Sequence, residues 1–270
     1  VSQGAAVYGP PPIKSPGLQD YPQADKEVKT IASELWGDPE GTGSKKGRSL
    51  SGNVFNGIDL QSGLNKLEVL PDVSFKDKVP VLWIHRRLDD IDIYFLTNQS
   101  DTIANFSASF RTVGKQPELW DAVNGRIRDL HAFSRDDRTT TLPLRLDANE
   151  SAFIVFGKKG DADSGKTETN FPEPELVVNI NTPWEVSFDN AMRGPDEALK
   201  MTPPEDWTKS TDERVKYYSG TAVYRNSFRY GKPEPGETIC LNLGRVGVMA
   251  EVRINGHLAG GVWSSPWRVD

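Results

Sequence analysis

The sequence contains very little cysteine and histidine, with one cysteine and three histidines in 270 residues. The single cysteine, Cys240, excludes an internal disulfide framework and any metal site with several thiolate ligands. The histidines His85, His131 and His257 show no metal-ligand spacing, so no metal site is predicted in this chain. Because Cys240 lies in the apolar run Thr238–Leu241, it is predicted to be a buried small side chain rather than a nucleophile.

Long apolar runs and long basic clusters are also absent. No apolar run approaches the ~20 residues of a transmembrane helix, so no membrane partner is expected. The formal net charge is −6, and no Lys/Arg cluster is long enough to replace phosphate counterions, which argues against nucleic acid as a partner. The densest basic stretch, Lys45–Arg48, overlaps the glycine-rich segment Gly41–Gly47. This segment lacks the residue order of a phosphate-binding loop and is interpreted as a solvated loop.

The apolar residues that are present, 36% of the chain, suffice for a sizeable core, and the length allows one large or two ordinary domains. Residues 1–72 are predicted to form an arm with helices that remains from an α/β layer. Within this segment, Asp25–Trp36 has apolar side chains at helical spacing and is followed by Gly37, which predicts a helix. A weaker helix is predicted at about Ile58–Val69.

From residue 73 to residue 160 the pattern predicts an antiparallel β-sandwich. Short apolar runs follow one another at regular spacing, separated by turn residues and with no helical segment between them. The runs are Val81–His85, Ile91–Leu96, Ile103–Val113, Thr139–Leu146 and Ala152–Phe156. Residues 161–176 are poor in apolar side chains and are interpreted as a linker.

Apolar and polar positions alternate again in residues 177–270, most clearly near the end. Every second residue from Val246 to Ile254 is apolar, which places these side chains on one face of a strand. Asn255-Gly256 is a strong hairpin signal because both residues accept positive φ. The return strand leads into a loop, Trp263–Trp267, that has a tryptophan at each end.

Longer motifs occur along nearly the whole chain. They are Lys14–Pro22, Glu34–Gly37, His85-Arg86, Asp92–Asn98, Phe110–Asp121, Tyr217–Tyr224 and Leu241–Asp270. Together they resemble the C-terminal region of large α-L-rhamnosidases of glycoside hydrolase family 106, and the last two resemble the galactose-binding-like jelly roll of family 2-type glycoside hydrolases. The resemblance implies a mainly β fold, with the sandwich at 73–160 followed by a jelly roll at 177–270, after a small helical or α/β N-terminal segment.

The resemblance also implies where hydrolysis takes place. In that family it is carried out by glutamates of a (β/α)₈ barrel, which lies N-terminal to the region seen here and has a calcium ion at its active site. No position of this chain matches those glutamates, so no catalytic residue and no cofactor are assigned to it. The implied partners are carbohydrate and the catalytic barrel of the parent enzyme, and the implied location is secreted or periplasmic.

Five side chains near the end of the chain are candidates for sugar contact. Aromatic rings stack on the C–H faces of sugars, and polar side chains bind the hydroxyls. The candidates are Trp263, Trp267, Tyr217 and Tyr218, with Arg268 as a hydrogen-bonding partner. The other interpretation is that the tryptophan loop simply closes the sandwich.

A second candidate site is the pair His85-Arg86 at the end of a strand that looks buried, where a loop can reach a neighbouring active site. The alternative is an ion pair with Asp89, Asp90 or Asp92.

The jelly roll is expected to be incomplete. Such a fold has about eight strands, and only roughly six are counted from Val177 to Asp270. The sequence therefore predicts an exposed sheet edge beside the Trp263–Trp267 loop.

Three functions are compatible with these features. The favoured one is an ancillary part of a rhamnosidase-like glycoside hydrolase that acts on plant-type or complex polysaccharide. The alternative is a free-standing carbohydrate-binding protein that uses Trp263 and Trp267. The third is a complete small hydrolase with an unrecognised pair of carboxyl groups. The neighbouring acids Asp89-Asp90, Asp136-Asp137 and Glu173/Glu175 lie in predicted turns or linkers and are interpreted as solvated.

Overall fold

The computed structural model of the protein describes residues 4–37, 54–160, 169–231, 234 and 237–270. The chain forms two compact units, Val1–Asp72 and Val73–Asp270. Outside the described residues lie the predicted glycine-rich and basic stretch at 41–48 and residues 161–168 of the predicted linker. The finer domain division at residues 160 and 177 stays a prediction.

The described residues of the first unit form two short strands and two helices. In chain order they are β1 (Val7–Tyr8), α1 (Gln23–Trp36), β2 (Val54–Phe55) and α2 (Leu60–Lys66). Helix α1 occupies the predicted position and ends at Gly37, whose φ of 83° is accessible to glycine at little cost. The indole of Trp36 donates a hydrogen bond to the carbonyl oxygen of Gly9 at 2.8 Å, which ties the helix to the proline-rich arm. Strands β1 and β2 pair in parallel.

The second unit begins with nine strands. They are β3 (Val73–Phe75), β4 (Val81–Leu88), β5 (Ile91–Asn98), β6 (Ala104–Phe110), β7 (Lys115–Trp120), β8 (Ile127–Asp129), β9 (Ser134–Arg135), β10 (Thr140–Leu146) and β11 (Ser151–Lys159). They form one antiparallel sheet in the order β3-β6-β10-β9 and a second in the order β4-β5-β11-β7-β8. The two sheets share one apolar core. The prediction of a mainly β, antiparallel fold is therefore confirmed.

The sandwich core follows from the alternation of side chains along each strand. In β5, buried and half-buried residues alternate without exception, because successive side chains point to opposite faces. The fully buried ring of Tyr94 contacts Phe110 from the facing sheet, with a centroid distance of 4.8 Å, and Phe156 from the adjacent strand, at 5.8 Å. The Tyr94 hydroxyl lies 3.2 Å from the hydroxyl of Thr112, so its polar end is also satisfied.

Strand β4 differs from the sequence-based expectation. Its first residues look like a buried strand, yet Leu82, Trp83 and Ile84 are exposed. The reason is its position, since β4 lies at the edge of the five-stranded sheet and pairs only with β5. The strand is also longer than predicted, and its hairpin turn is formed by Asp89 and Asp90 alone.

The rest of the second unit has, among its described residues, seven shorter strands and one short α-helix. They are β12 (Trp184–Phe188), β13 (Leu199–Met201), α3 (Glu213–Lys216), β14 (Ala222–Arg225), β15 (Leu241–Asn242), β16 (Ala250–Ile254), β17 (His257–Val262) and β18 (Arg268–Val269). The predicted hairpin is confirmed, because β16 and β17 pair around Asn255 and Gly256, which have φ values of 51° and 83°. The first of these strands begins at Ala250 and not at Val246.

These seven strands form three small sheets, β13-β12-β14, β15-β18 and β16-β17. Each is short, and the apolar clusters beneath them contain only three buried residues apiece. In the part of the chain that the structure describes, β16 and β17 pair only with each other, so both have an open edge next to the tryptophan loop. The jelly-roll assignment itself stays a prediction.

The prediction of a buried Cys240 is wrong. The residue is exposed, because it precedes the two-residue strand β15 and is not enclosed by a sheet. Its thiol donates a hydrogen bond to Asp270 Oδ1 at 2.7 Å. Partial desolvation and the neighbouring carboxylate raise the pKa of the thiol to about 11, which disfavours the thiolate.

Candidate functional site

The two tryptophans of the predicted sugar platform have different environments. Trp263 directly follows β17 and is 61% exposed. Trp267 is half-buried and packs against the cluster of Val252, Val262 and Val269. The loop therefore contributes the ring of Trp267 to the small core and leaves the ring of Trp263 exposed, and sugar contact by Trp263 stays a prediction.

The predicted hydrogen-bonding partner, Arg268, is bound to the sandwich. Its Nη1 lies 2.6 Å from Asp147 Oδ2, and its Nη2 lies 3.6 Å from Glu150 Oε1. Two residues further on, Asp270 Oδ2 accepts from Arg126 Nη1 at 2.7 Å. We call these five residues the anchor cluster. The cluster joins the end of the chain to two turns of the sandwich, so the guanidinium of Arg268 has a structural partner.

The carboxylates of Asp147 and Glu150 were not recognised as a pair from the sequence. Both side chains are largely buried, and Glu150 Oε2 also accepts a hydrogen bond from the backbone N–H of Asp147 at 2.6 Å. Asp147 Oδ1 is 3.3 Å from Arg145 Nη2. The only signal in the sequence is that Asp147 and Glu150 lie three residues apart in a predicted turn. This spacing indicates the turn but not the burial of the two carboxylates. Arg268, whose guanidinium contacts both carboxylates, is 121 residues away from Asp147 in the chain.

Burial shifts the pKa of the Glu150 carboxyl group. Desolvation, the largest cause, raises the pKa of Glu150 above its ordinary value, and the nearby Asp147 carboxylate adds to this effect. The folded protein therefore retains this proton at pH values at which the unfolded chain has released it. The stability that the protonated Glu150 contributes is fully present below the ordinary pKa of a glutamate. It is lost as the pH rises through the pKa of Glu150 in the folded protein.

The melting temperature of Glu150→Gln minus that of wild type is therefore expected to be more positive at pH 7 than at pH 4. Glutamine keeps an oxygen that can accept from the Asp147 N–H but does not titrate. The measurement is differential scanning calorimetry of both proteins across this range. A difference between the two proteins that is independent of pH, or more favourable at pH 4, would contradict the assigned burial of the charge.

The two candidate tyrosines belong to a different cluster from the tryptophan loop. The half-buried ring of Tyr218 packs edge-on against Phe188 and Trp207, with centroid distances of 5.0 and 5.6 Å. Its hydroxyl donates to the carbonyl oxygen of Thr221 at 2.8 Å. Tyr217 is exposed, and the ammonium of Lys216 lies 5.4 Å from its ring centroid. Among the described residues, the two tyrosines contact Phe188, Trp207, Thr221 and Lys216, so they form a cluster separate from the Trp263–Trp267 loop.

The second candidate pair, His85-Arg86, is divided between the two faces of β4. The ring of His85 stacks on Tyr94 with a centroid distance of 4.2 Å, and its Nε2 is 3.1 Å from Asp92 Oδ1. This is the ion-pair partner that the sequence offered as an alternative. Arg86 is exposed, and its Nη1 donates to the carbonyl oxygen of His85 at 3.1 Å.

The neighbouring acids considered as a hydrolytic pair lie at the surface. Asp90 and Glu173 have strongly exposed side chains. Asp136 is also exposed, and hydrogen bonds from the turn residues Arg138 and Thr139 hold its pKa below the ordinary value. Within the described residues, no group of three or more His, Cys, Asp or Glu side chains could hold a metal ion. No described helix is long and apolar enough to cross a membrane.

Comparison with known proteins adds three findings. The model of glycoside hydrolase family 106, described as alpha-L-rhamnosidase, matches residues 1–134. A solved rhamnosidase from Novosphingobium sp. PP1Y is 33% identical, with a TM-score of 0.86, and the match covers 99% of this chain and 25% of that chain. A Formosa agariphila protein named "Putative beta-glucuronidase" is 34% identical over 185 residues, which are 67% of this chain and 15% of that protein.

The chain thus spans a quarter or less of the length of these two relatives. This partial coverage is consistent with the C-terminal region that the motifs indicated. Because the family model, the fold and the identity to a solved rhamnosidase agree with the motifs, residues 1–134 belong to glycoside hydrolase family 106, described as alpha-L-rhamnosidase, and the whole chain corresponds to one part of the longer rhamnosidase that it matches.

Proposed function

We propose that this chain is a supporting, non-hydrolytic part of an α-L-rhamnosidase-type glycoside hydrolase that acts on a polysaccharide. The observation that carries the proposal is the match of 99% of the chain to only 25% of a solved rhamnosidase. The carboxyl groups that hydrolyse the substrate would then lie in another part of a longer protein. A rhamnosidase is favoured over a glucuronidase because the family model carries the former description.

The charges of the second unit support this assignment. A glycosidase needs two carboxyl groups that face the scissile bond, one to protonate the leaving group and one to act as base or nucleophile. The buried Asp92 is engaged by His85, and the buried Glu118 by Lys158 at 2.5 Å. Asp147 and Glu150 are bound in the anchor cluster. Each of these carboxylates has a basic side chain or a backbone N–H of the fold as its partner, which favours a structural role over a hydrolytic one.

A second candidate function is carbohydrate binding through Trp263. Its exposed ring favours this reading, because a flat aromatic surface can stack on a sugar. The ring lacks the partners expected from the sequence, however, since Trp267 packs into the core and Arg268 is bound to Asp147. Single-ring platforms bind weakly, so the supporting role remains the preferred function.

The purified 270-residue chain is expected to release no chromophore from an aryl α-L-rhamnoside and to show no Trp263-dependent binding of a rhamnose-containing polysaccharide in calorimetry. The binding arm compares wild type, Trp263→Ala and the control Tyr230→Ala, which removes another exposed ring from the same part of the chain. Release of chromophore would establish a complete hydrolase and refute the proposal. Binding that is lost only in Trp263→Ala would establish the carbohydrate-binding function.

A further inference from the structure

An unbroken apolar row crosses the five-stranded sheet on the face opposite the sandwich core. The row consists of Ile84, Phe95, Phe153, Trp120 and Ile127, one residue from each strand. Each residue is the direct register partner of the next, from β4 through β5, β11 and β7 to β8. We call this set the outer row.

The outer row is accessible along its length. Ile84, Trp120 and Ile127 are 45%, 37% and 57% exposed. Phe95 and Phe153 are half-buried, and their rings contact each other with a centroid distance of 5.0 Å. Leu82 and Leu88, also exposed, lie on the same face of β4, because side chains two residues apart point the same way.

A sandwich sheet does not need such a row. In an antiparallel sheet with one face packed on the core, the other face is normally polar. The core of this sandwich is already complete on the inner face, where Tyr94, Ile154 and Phe156 pack against the facing sheet. A contiguous apolar patch on the surface of a folded unit is characteristic of an interaction site.

The charges beside the row resemble the rim of a protein interface. The exposed charged side chains beside the row are Arg86, Asp129 and Lys158, and Lys158 Nζ lies 3.4 Å from Asp129 and 2.5 Å from Glu118, which is itself buried. An apolar centre with a polar border is the usual arrangement of a protein–protein interface. The border itself carries both charge signs, so it favours a protein surface over a highly charged polymer.

We propose that the outer row is the surface by which this chain docks onto an apolar surface of the remainder of a longer glycoside hydrolase. This inference rests on the proposed function. The occupant is identified by the comparison, because three quarters of the solved rhamnosidase chain lies outside the matched part. Docking would bury the three aromatic rings of the row and the two isoleucine side chains at its ends, and aromatic residues are enriched in the centres of interfaces.

The test uses hydroxyl-radical footprinting of Trp120 in the 270-residue chain and in the longest natural protein that contains it. Labelling is expected to fall at least about five-fold in the longer protein, because interface centres are packed as densely as protein interiors. Ile127→Lys should restore labelling in the longer protein, since it places a charge in the interface. Ile103→Lys is the matched control, as Ile103 is 52% exposed but precedes β6 in the other sheet, and it should leave the protection unchanged.

Several results would overturn the docking surface. They are equal labelling of Trp120 in the two proteins, a natural protein no longer than this chain, and loss of protection in both lysine variants. A dimer of the 270-residue chain that Ile127→Lys dissociates would identify a second copy as the occupant instead, and polysaccharide binding lost in Trp120→Ala would identify carbohydrate. If the longer protein hydrolyses an aryl α-L-rhamnoside while Trp120 stays labelled, the docking surface is wrong and the proposed function stands.

Discussion

Replacement of Phe156 by alanine is expected to lower the free energy of unfolding of the second unit by about 3–5 kcal/mol, the usual cost of removing a buried phenylalanine ring. Phe156 is fully buried between the two sheets of the sandwich. Its ring contacts Phe110 and Tyr94, with centroid distances of 5.4 and 5.8 Å. The substitution therefore removes apolar contacts and leaves a cavity that neighbouring strands, held by their ladders, can close only in part.

Urea unfolding followed by near-ultraviolet circular dichroism measures this change. The matched control is Phe228→Ala, which removes the same ring from an exposed position and should change the free energy of unfolding by no more than about 0.5 kcal/mol. Equal losses for the two variants would show that the shared core of the two sheets is not what stabilises this unit.

Arg268→Ala is expected to cost about 1–3 kcal/mol, the range for hydrogen bonds to charged groups. The guanidinium lies 2.6 Å from Asp147 and 3.6 Å from Glu150, so its loss leaves two largely buried carboxylates without this cation. The cost stays below that of a fully buried pair, because Arg268 itself is 42% exposed and its charge is screened by water. The loosened end of the chain would include β18 and, with it, the half-buried ring of Trp267.

Arg253→Ala is the control for this loss. Arg253 pairs with Glu251 at 2.9 Å on strand β16, where both side chains are more than half exposed. Its removal should therefore cost at most about 1 kcal/mol. Thermal unfolding of both variants separates the two cases. The anchoring role of Arg268 is refuted if the two arginine variants are equally stable.

The elements that local sequence patterns predicted well are those whose residues act on near neighbours. Helix α1 follows from apolar spacing and from Gly37, and the β16–β17 hairpin follows from Asn255-Gly256. Strand β5 shows the alternation that its sequence implies. In each case the backbone conformation depends on side chains that are only a few residues away, so the local sequence pattern is enough to predict it.

The candidate site was predicted less well, because its environment comes from distant residues. The sequence marks Trp263 as a candidate sugar contact and Arg268 as its hydrogen-bonding partner. In the structure the guanidinium of Arg268 is bound to a turn 121 residues earlier, whereas the side chain of Trp263 is exposed. Likewise, Glu150 reads as a turn residue, and nothing local indicates that its carboxyl group is desolvated.

By itself, the sequence determined that this protein is mainly β, where its principal helix and hairpin lie, and which glycoside hydrolase family its motifs match. These properties depend on side-chain periodicity, turn residues and long motifs, all of which are local. Only the tertiary structure decided that β4 lies at a sheet edge, that Arg268 joins the end of the chain to the sandwich, and that five strands align one apolar row on the outer face. These depend on sheet order and register, which are set by the packing of residues far apart in the chain.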